Sequence, residues 1–219
     1  MYIQLNGQIL YYEKYGEGQP FLLVHGNGET HEIFDVLIPK LAENYTVYAL
    51  DSRGHGLSAT PPALHYTDMA EDVAAFIDAL ALNKPLYYGF SDGGIIGLLL
   101  ASKYPNKLSK LMISGANLVP KDLKGKFYNT IKKKHKKEPN ELLRLMLEEP
   151  DITPADLLKI TVPTLILAGE KDIVREKGTL RIARMITHAT LVIVPGEDHS
   201  SYIEHSEKLY PLLQEFLNK

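Results

Sequence analysis

The feature that most constrains the fold is an alternation of short apolar runs with segments whose apolar residues recur at helical spacing. Continuous apolar strands separated by amphipathic helices indicate a parallel sheet that is covered on both faces. We therefore predict an α/β fold with a mostly parallel, doubly wound sheet. The segments that predict its strands are PFLLVHG, YTVYALD, PLYYGF, LSKLMISG, PTLILAGE and TLVIVPGE.

The N-terminal segment predicts an antiparallel hairpin, because the runs YIQL and QILYYEKY flank an Asn-Gly dipeptide that tolerates positive φ in a tight turn. The alternation then stops after residue 117 and resumes near residue 163. We interpret residues 118–152 as a short helical cap inserted after the sixth strand of a single domain spanning residues 1–219. Thr153 and Pro154 are predicted to be the N-cap and the first residue of a helix that follows.

The cap segment carries eight lysines between Lys121 and Lys137. We expect these lysines on the solvated face of one or two cap helices, with Phe127, Tyr128 and Ile131 turned inward. The alternative is that they attract anionic substrates or an acidic lipid surface. A cap this short is expected to leave the pocket fairly open, which favours small or flexible acyl groups.

Composition narrows the classes of chemistry and partner. The chain of 219 residues has no cysteine, which excludes disulfides, thiolate catalysis and Cys-ligated metals. A net charge of -3 gives no global reason to expect nucleic acid or an anionic membrane as partner. No signal-peptide pattern is seen, and no apolar run approaches the roughly 18 to 20 residues of a membrane helix. We expect a cytoplasmic monomer or homodimer without stable membrane association.

The hexapeptide GFSDGG, residues 89–94, lies between a predicted strand and a predicted helix. A sharp strand-to-helix turn strains its middle residue, and glycines at 89 and 93 relieve the crowding around it. Ser91 would then stand at the carboxyl end of the sheet and at a helix N-terminus, where developing negative charge is favoured. The placement indicates a nucleophilic serine rather than a purely structural turn.

A serine nucleophile needs a general base and an acid that orients the base. In a strand–turn–helix arrangement of this type the chain order is serine, acid, histidine. Asp172 follows the strand TLIL and His199 follows the strand TLVIV, so both should lie at the same sheet edge as Ser91. Glu170 and Asp198 lie in the same loops and are expected to be solvated loop charges.

Five ordered motifs make the sequence similar to the α/β-hydrolase superfamily over nearly its whole length. The resemblance implies an α/β-hydrolase fold with Ser91 as nucleophile, His199 as base and Asp172 as orienting acid. It implies an oxyanion hole formed by the backbone N–H groups of Asn27 and Asp92, and it implies no metal and no organic cofactor. The motifs are LLVHGNGE, ALDSRGHGLS, GFSDGG, LAGEKDIV and GEDHSSYIEHSEKLYPLLQEFL.

The resemblance also implies the reaction, which is hydrolysis of a small carboxylic ester, or of an amide, through an acyl-enzyme. Serine at position 91 argues against dehalogenases and epoxide hydrolases, which carry aspartate there. Three alternatives remain open, namely cleavage of a carbon–carbon bond, cofactor-free perhydrolysis and a non-catalytic ligand receptor on the same fold.

Asp92, the residue after the serine, has two interpretations. In the first, its carboxylate lies in the first helical turn, points away from the site and is favoured by the helix dipole. In the second, it faces the cleft and receives a cationic group. The chain resembles the biphenyl-hydrolase-like and valacyclovir-hydrolase group, which also has aspartate here and hydrolyses esters of α-amino acids.

Further residues near the predicted site have structural and functional interpretations. His25, Gly28 and Glu29 are possible contacts for the substrate, although His25 also fits a structural histidine beside the oxyanion segment. Asp51 and His55 suggest a metal site, but a glycine turn whose arginine and serine brace neighbouring loops is the preferred interpretation. No metal site is predicted.

Overall fold

The computed structural model describes residues 1–219 and has an eight-stranded sheet in the order β1-β2-β4-β3-β5-β6-β7-β8. The pairs β1–β2 and β2–β4 are antiparallel and all other neighbours are parallel. The predicted α/β fold, with its mostly parallel sheet and N-terminal hairpin, is confirmed. The strands are β1 (Tyr2–Leu5), β2 (Gln8–Tyr15), β3 (Gln19–Val24), β4 (Tyr45–Leu50), β5 (Leu86–Phe90), β6 (Lys110–Ser114), β7 (Thr164–Gly169) and β8 (Ala189–Val194).

The turn of the hairpin shows why the Asn-Gly dipeptide predicted it. Asn6 and Gly7 have φ values of 50° and 73°, the left-handed conformation that a two-residue hairpin turn requires. Leu5 pairs with Gln8 across this turn. The register set here leaves Leu10 and Tyr12 of β2 buried in the core.

Helices cover both faces of the sheet. Alternate strand residues point to opposite faces, so Leu22 and Val24 join one core cluster while Phe21 and Leu23 join the other. The first cluster receives α2, α3, α5, α6 and α7, and the second receives α1 and α8. The helices are α1 (Leu37–Ala42), α2 (Tyr66–Ala79), α3 (Asp92–Lys103), α4 (Gly125–Lys137), α5 (Glu141–Glu148), α6 (Pro154–Leu157), α7 (Glu176–Met185) and α8 (Leu209–Leu217).

The interruption of the alternation corresponds to helices α4 and α5, between β6 and β7. Ile131 of α4 is buried with Leu123 and Val174, and Phe127 and Tyr128 pack against this cluster. The apolar side of α4 therefore faces inward, as the sequence predicts. The lysines in the second half of α4 are exposed.

The start of this segment is tied to the loop that carries Asp172. Leu123 forms an isolated antiparallel bridge with Val174, the Lys124 N–H donates to the Ile173 carbonyl at 2.8 Å, and the Arg175 N–H donates to the Asp122 carbonyl at 2.7 Å. At the other end, Thr153 and Asp156 form a capping box that begins α6. The predicted N-cap at Thr153 and first helical residue at Pro154 are confirmed.

None of the eight α-helices combines the length and the hydropathy that a bilayer span requires.

Candidate functional site

Ser91 occupies the turn between β5 and α3 in a strained conformation, with φ of 50° and ψ of -109°. A Cβ on Gly89 would lie 2.1 Å from the Gly93 carbonyl oxygen, and one on Gly93 would lie 2.1 Å from the Val24 carbonyl oxygen. Both glycines are therefore required by close backbone approach, as the motif predicts. The Ser91 N–H donates to the Ser114 carbonyl at 2.8 Å, which fixes the turn to β6.

Ser91, His199 and Asp172 lie together at the carboxyl edge of the sheet. The Nε2 atom of His199 is 3.1 Å from the Ser91 Oγ, and its Nδ1 is 2.7 Å from the Asp172 Oδ1. The carboxylate acceptor places the ring proton on Nδ1 and leaves Nε2 free to accept the serine proton. Parallel strands bring about this meeting, because β5, β7 and β8 all end at this edge.

The Asp172 carboxylate is 3% exposed and its two oxygens differ. Oδ1 accepts from His199 and from the Val174 N–H, the latter at 2.9 Å, whereas Oδ2 has no hydrogen-bond partner in the chain. A buried carboxylate against the imidazole stabilises the positive charge that the ring gains when it takes up a proton. The arrangement can therefore support general-base activation of the Ser91 hydroxyl.

Asp92 lies on the other side of Ser91 and is 4% exposed. Its Oδ1 accepts from the Tyr66 hydroxyl at 2.7 Å, and its Oδ2 accepts from the Asn27 side-chain amide at 2.9 Å. Burial raises the pKa of the Asp92 carboxyl, and these two hydrogen bonds oppose that shift. Asp92 lines the same cavity as Ser91 and His199, which favours the interpretation in which its carboxylate faces the cleft.

The cavity in front of Ser91 is about 10 Å³, the room of a single water molecule. Helix α5 and the residue after it contribute Met146 and Glu149 to its wall. The expectation that a short cap leaves the pocket open is therefore wrong. Other side chains that line the cavity are Tyr66, Asn117, Leu123, Ile173 and Val174.

The oxyanion-hole assignment stays a prediction, with two features that agree with it. The backbone N–H of Asn27 donates to no group of the chain, and Asp92 opens α3, so its N–H has no partner within that helix. The Asn27 side chain also donates to the Leu142 carbonyl of α5 at 3.2 Å. The segment after β3 thus contacts both α3 and α5.

His25 does not reach the cavity. It is 1% exposed, its Nδ1 donates to the Gly26 carbonyl at 2.7 Å, and its Nε2 accepts from the Ser52 N–H at 3.0 Å. Burial lowers the pKa of His25 to about 4, in agreement with a neutral ring. These contacts favour the structural interpretation of this histidine.

Gly28 and Glu29 also lie outside the set of residues that line the cavity. Gly28 is exposed, with φ of 76°. Glu29 folds back so that its Oε2 accepts the Gly26 N–H at 2.7 Å. Their suggested contact with substrate finds no support in this arrangement.

The DSRGHGLS turn braces its neighbours, as its preferred interpretation predicts. The Asp51 carboxylate accepts from the His31 ring and from the Leu57 N–H, and the Arg53 guanidinium pairs with Asp72 at 2.6 and 2.7 Å. His55 is directed to the Arg53 carbonyl. No group of three His, Asp or Glu side chains in the chain has the arrangement of a metal site.

Sequence reasoning missed Tyr66, Asn117 and Glu149, which all line the cavity. Tyr66 opens α2, where the sequence shows only a helix start. Glu149 accepts from the Tyr66 N–H at 3.1 Å and lies 2.6 Å from the His65 Nδ1. The one available signal is that a buried tyrosine hydroxyl requires a partner, and this signal does not say which one.

The chain is similar in sequence to a known protein family and to several characterised proteins. A family model described as alpha/beta hydrolase fold matches residues 19–136. The human protein named serine hydrolase BPHL is 35% identical over 139 residues, which cover 59% of this chain and 47% of that protein. The 2-hydroxy-6-oxo-2,4-heptadienoate hydrolase of Pseudomonas putida is 31% identical over 106 residues, which cover 46% of this chain and 38% of that protein.

The alignments span about half the length, or less, of the curated relatives that the chain matches. Among solved structures, an esterase from Exiguobacterium antarcticum superposes with a TM-score of 0.87 at 23% identity, covering 100% of this chain and 99% of that one. This likeness concerns the fold.

Proposed function

The chain belongs to the alpha/beta hydrolase fold family, and we propose that it is a serine hydrolase that cleaves carboxylic esters through an acyl-enzyme intermediate. The observation that supports this proposal most directly is the pair of contacts from His199, 3.1 Å to the Ser91 Oγ and 2.7 Å to the Asp172 Oδ1. Relatives named as a serine hydrolase and as an esterase agree with it.

In the proposed reaction the Ser91 Oγ attacks the ester carbonyl carbon while its proton passes to the His199 Nε2. Asp172 stabilises the imidazolium that forms, and the backbone N–H groups of Asn27 and Asp92 receive the carbonyl oxygen as it becomes an anion. One such donor typically contributes about 3 kcal/mol to transition-state stabilisation. His199 then returns its proton to the departing alcohol, which leaves an acyl group on Ser91.

Deacylation repeats these steps with water in place of serine. His199 takes a proton from the water as its oxygen attacks the acyl carbon, and then delivers this proton to the Ser91 Oγ as the acid leaves. No cofactor enters the proposed steps, because every proton transfer involves Ser91, His199, water or the substrate.

We further propose that residues 118–152 act as the cap of a single domain spanning residues 1–219. Since the cavity in front of Ser91 has room for about one water molecule, an ester can enter only if Met146 and Glu149 move away. The Asn27 contact to the Leu142 carbonyl would break in that movement.

The cavity wall favours a finer assignment within the esters, namely substrates with a cationic group such as amino-acid esters. Two carboxylates, Asp92 and Glu149, line the cavity. Asp92 accepts only from neutral donors, the Tyr66 hydroxyl and the Asn27 amide, and no Lys or Arg side chain forms an ion pair with it. A protonated amino group placed there would form a charge-assisted hydrogen bond. No feature of the cavity favours carbon–carbon bond cleavage, perhydrolysis or a receptor role over this assignment.

The first experiment is labelling with a fluorophosphonate probe, together with turnover of a panel of short-chain chromogenic esters. We expect one label per chain, and we expect Ser91→Ala to lose the label and to reduce kcat by about 10⁴-fold or more. Turnover that survives in Ser91→Ala would refute the assignment of the nucleophile. Esters that bind without turnover would favour the receptor alternative.

A further inference from the structure

A second cavity, which we call the basic recess, lies at the start of the cap segment and has a volume of about 450 Å³. Three of the side chains that line it are cationic, namely Lys121, Arg175 and Lys177. Its apolar wall consists of Pro120, Leu123 and Tyr128. Leu123 also lines the cavity in front of Ser91, so the two cavities share this side chain as a wall.

Arg175 is half-buried, and only one of its guanidinium nitrogens has a partner in the chain. Its Nε donates to the Leu123 carbonyl at 3.1 Å, whereas Nη1 and Nη2 donate to no group of the chain. By contrast, Arg144 and Arg181 pair with carboxylates at 2.9 and 2.7 Å. A Cβ built on Gly125 would lie 3.9 Å from the Arg175 Nη2. Because Gly125 lines the recess, the unpartnered end of the guanidinium lies there.

No acidic side chain lines the basic recess. The two acids next to its cations in the sequence are directed elsewhere, because Asp122 accepts from the Arg181 guanidinium at 2.7 Å and Glu176 lines a different cavity. Lys121 and Lys177 are exposed and form no ion pair within the chain. The recess thus brings together three cations, none of which pairs with a carboxylate.

These features fit the chemistry of a phosphate group. A planar guanidinium with two free NH₂ groups can donate to two phosphate oxygens at once, and lysine ammonium groups add charge on flexible stems. A phosphate monoester carries close to two negative charges at neutral pH, so it matches several cations better than a single carboxylate does. The apolar wall and the volume of the recess leave room for the organic part of such an ester.

We propose that the basic recess is a binding site for a phosphate group, carried by a small molecule or by a lipid, with Arg175 as the forked donor and Lys121 and Lys177 as further cations. Lys121 precedes α4, whereas Arg175 and Lys177 lie at the start of α7. A bound phosphate therefore connects the start of the cap to the segment after Asp172. The inference goes beyond the proposed ester hydrolysis and does not depend on it, because binding is measured without an ester.

The direct test is calorimetric titration of the chain with inorganic phosphate, together with thermal unfolding in phosphate and in chloride at equal ionic strength. We expect one phosphate to bind per chain and the Tm to be higher in phosphate, because a ligand of the folded state stabilises it. Arg175→Gln should weaken binding by about 10-fold or more, since it removes hydrogen bonds from a charged donor. Lys121→Gln and Lys177→Gln should each weaken it by about 2- to 5-fold, as for an exposed ion pair.

The matched control is Lys136→Gln, which removes the same charge near the far end of α4, about 16 Å along the helix from Gly125. It should leave the Kd for phosphate nearly unchanged. Since Arg175 also donates to the Leu123 carbonyl, urea denaturation without phosphate shows whether its variant is folded. The double variant Lys121→Gln/Lys177→Gln leaves that bond in place and should weaken binding by about 4- to 25-fold.

Sedimentation with vesicles of phosphatidylcholine, with and without phosphatidic acid, distinguishes the two sources of the phosphate group. Binding that requires phosphatidic acid and decreases in the double lysine variant would assign the recess to a lipid headgroup. Binding of inorganic phosphate without binding to these vesicles would assign it to a small phosphate ester. The proposal is overturned if phosphate stabilises the chain no more than chloride does, or if Lys136→Gln weakens binding as much as the double variant.

Discussion

Two buried aspartates flank Ser91, and they differ in the groups that donate to them. Asp172 accepts from the His199 ring, which can take up a proton, and one of its oxygens remains without a partner. Asp92 accepts from the Tyr66 hydroxyl and the Asn27 amide, one on each oxygen, and neither donor can become a cation at neutral pH.

The difference separates two uses of the same side chain. On the His199 side, the aspartate charge is matched by a charge that appears on the enzyme during the proposed reaction. On the Tyr66 side, no Lys or Arg pairs with the aspartate, so a positive group in direct contact with it would come from the ligand. The two sides can therefore be tested separately, the first through kcat and the second through KM.

The largest expected effect is on the His199 side. Asp172→Asn keeps the size of the side chain but removes its charge and the preference for a proton on the His199 Nδ1. We expect kcat to fall by about 10⁴-fold, with KM little changed. The measurement is steady-state hydrolysis of a neutral chromogenic ester, with urea denaturation to show that the variant is folded. A loss below tenfold would show that His199 does not depend on Asp172.

The next effect is on the Asp92 side. For Asp92→Asn we expect KM to rise by about 10- to 100-fold for esters of amino acids, since a hydrogen bond to a charged group contributes about 1.5 to 3 kcal/mol. Neutral esters should change less than threefold. Glu149→Gln removes the charge of the second carboxylate in the cavity and is measured in the same assay for comparison. Equal losses on both classes of ester would refute the cationic assignment.

The same side predicts a pH dependence of selectivity. Because burial raises the pKa of Asp92, its carboxylate takes up a proton at a higher pH than an ordinary aspartate. The preference for amino-acid esters over neutral esters should therefore decline on acidification of the wild type. In Asp92→Asn the ratio of kcat/KM for the two classes should be constant over the same range.

The smallest effect is on stability. Tyr66→Phe leaves one oxygen of the buried Asp92 carboxyl without its donor, and we expect the free energy of unfolding to fall by about 1 to 2 kcal/mol in urea. Tyr45→Phe is the control, because the Tyr45 hydroxyl makes no hydrogen bond with another side chain, and it should change stability by less than about 0.5 kcal/mol. Equal effects from both variants would mean that the bond to Asp92 adds nothing.

The sheet and the group around Ser91 were within reach of sequence reasoning because they depend on local patterns. Apolar runs predicted the strands, the glycines at 89 and 93 predicted the strained turn, and parallel strand ends placed Asp172 and His199 near it. The alternation also indicated helices between the strands, but it did not show the separate 3-10 turn over His31–Phe34 that precedes α1.

The surroundings of Asp92 were out of reach because they depend on contacts between distant segments. Tyr66 reaches Asp92 only through the packing of α2 on α3, and Asn27 reaches it from the loop after β3. The closed cavity depends on how the Met146 and Glu149 side chains fill the space above Ser91.

The bridge between Leu123 and Val174 has a consequence for protein engineering. It anchors the chain beside Asp172 before α4 begins, and the Lys124 and Arg175 backbone bonds on either side reinforce the anchor. A segment of another length or composition grafted in place of residues 125–148 would start from this fixed attachment point. Exchanging residues 125–148 should therefore change the substrate range while Asp172, the proposed orienting acid, stays in place.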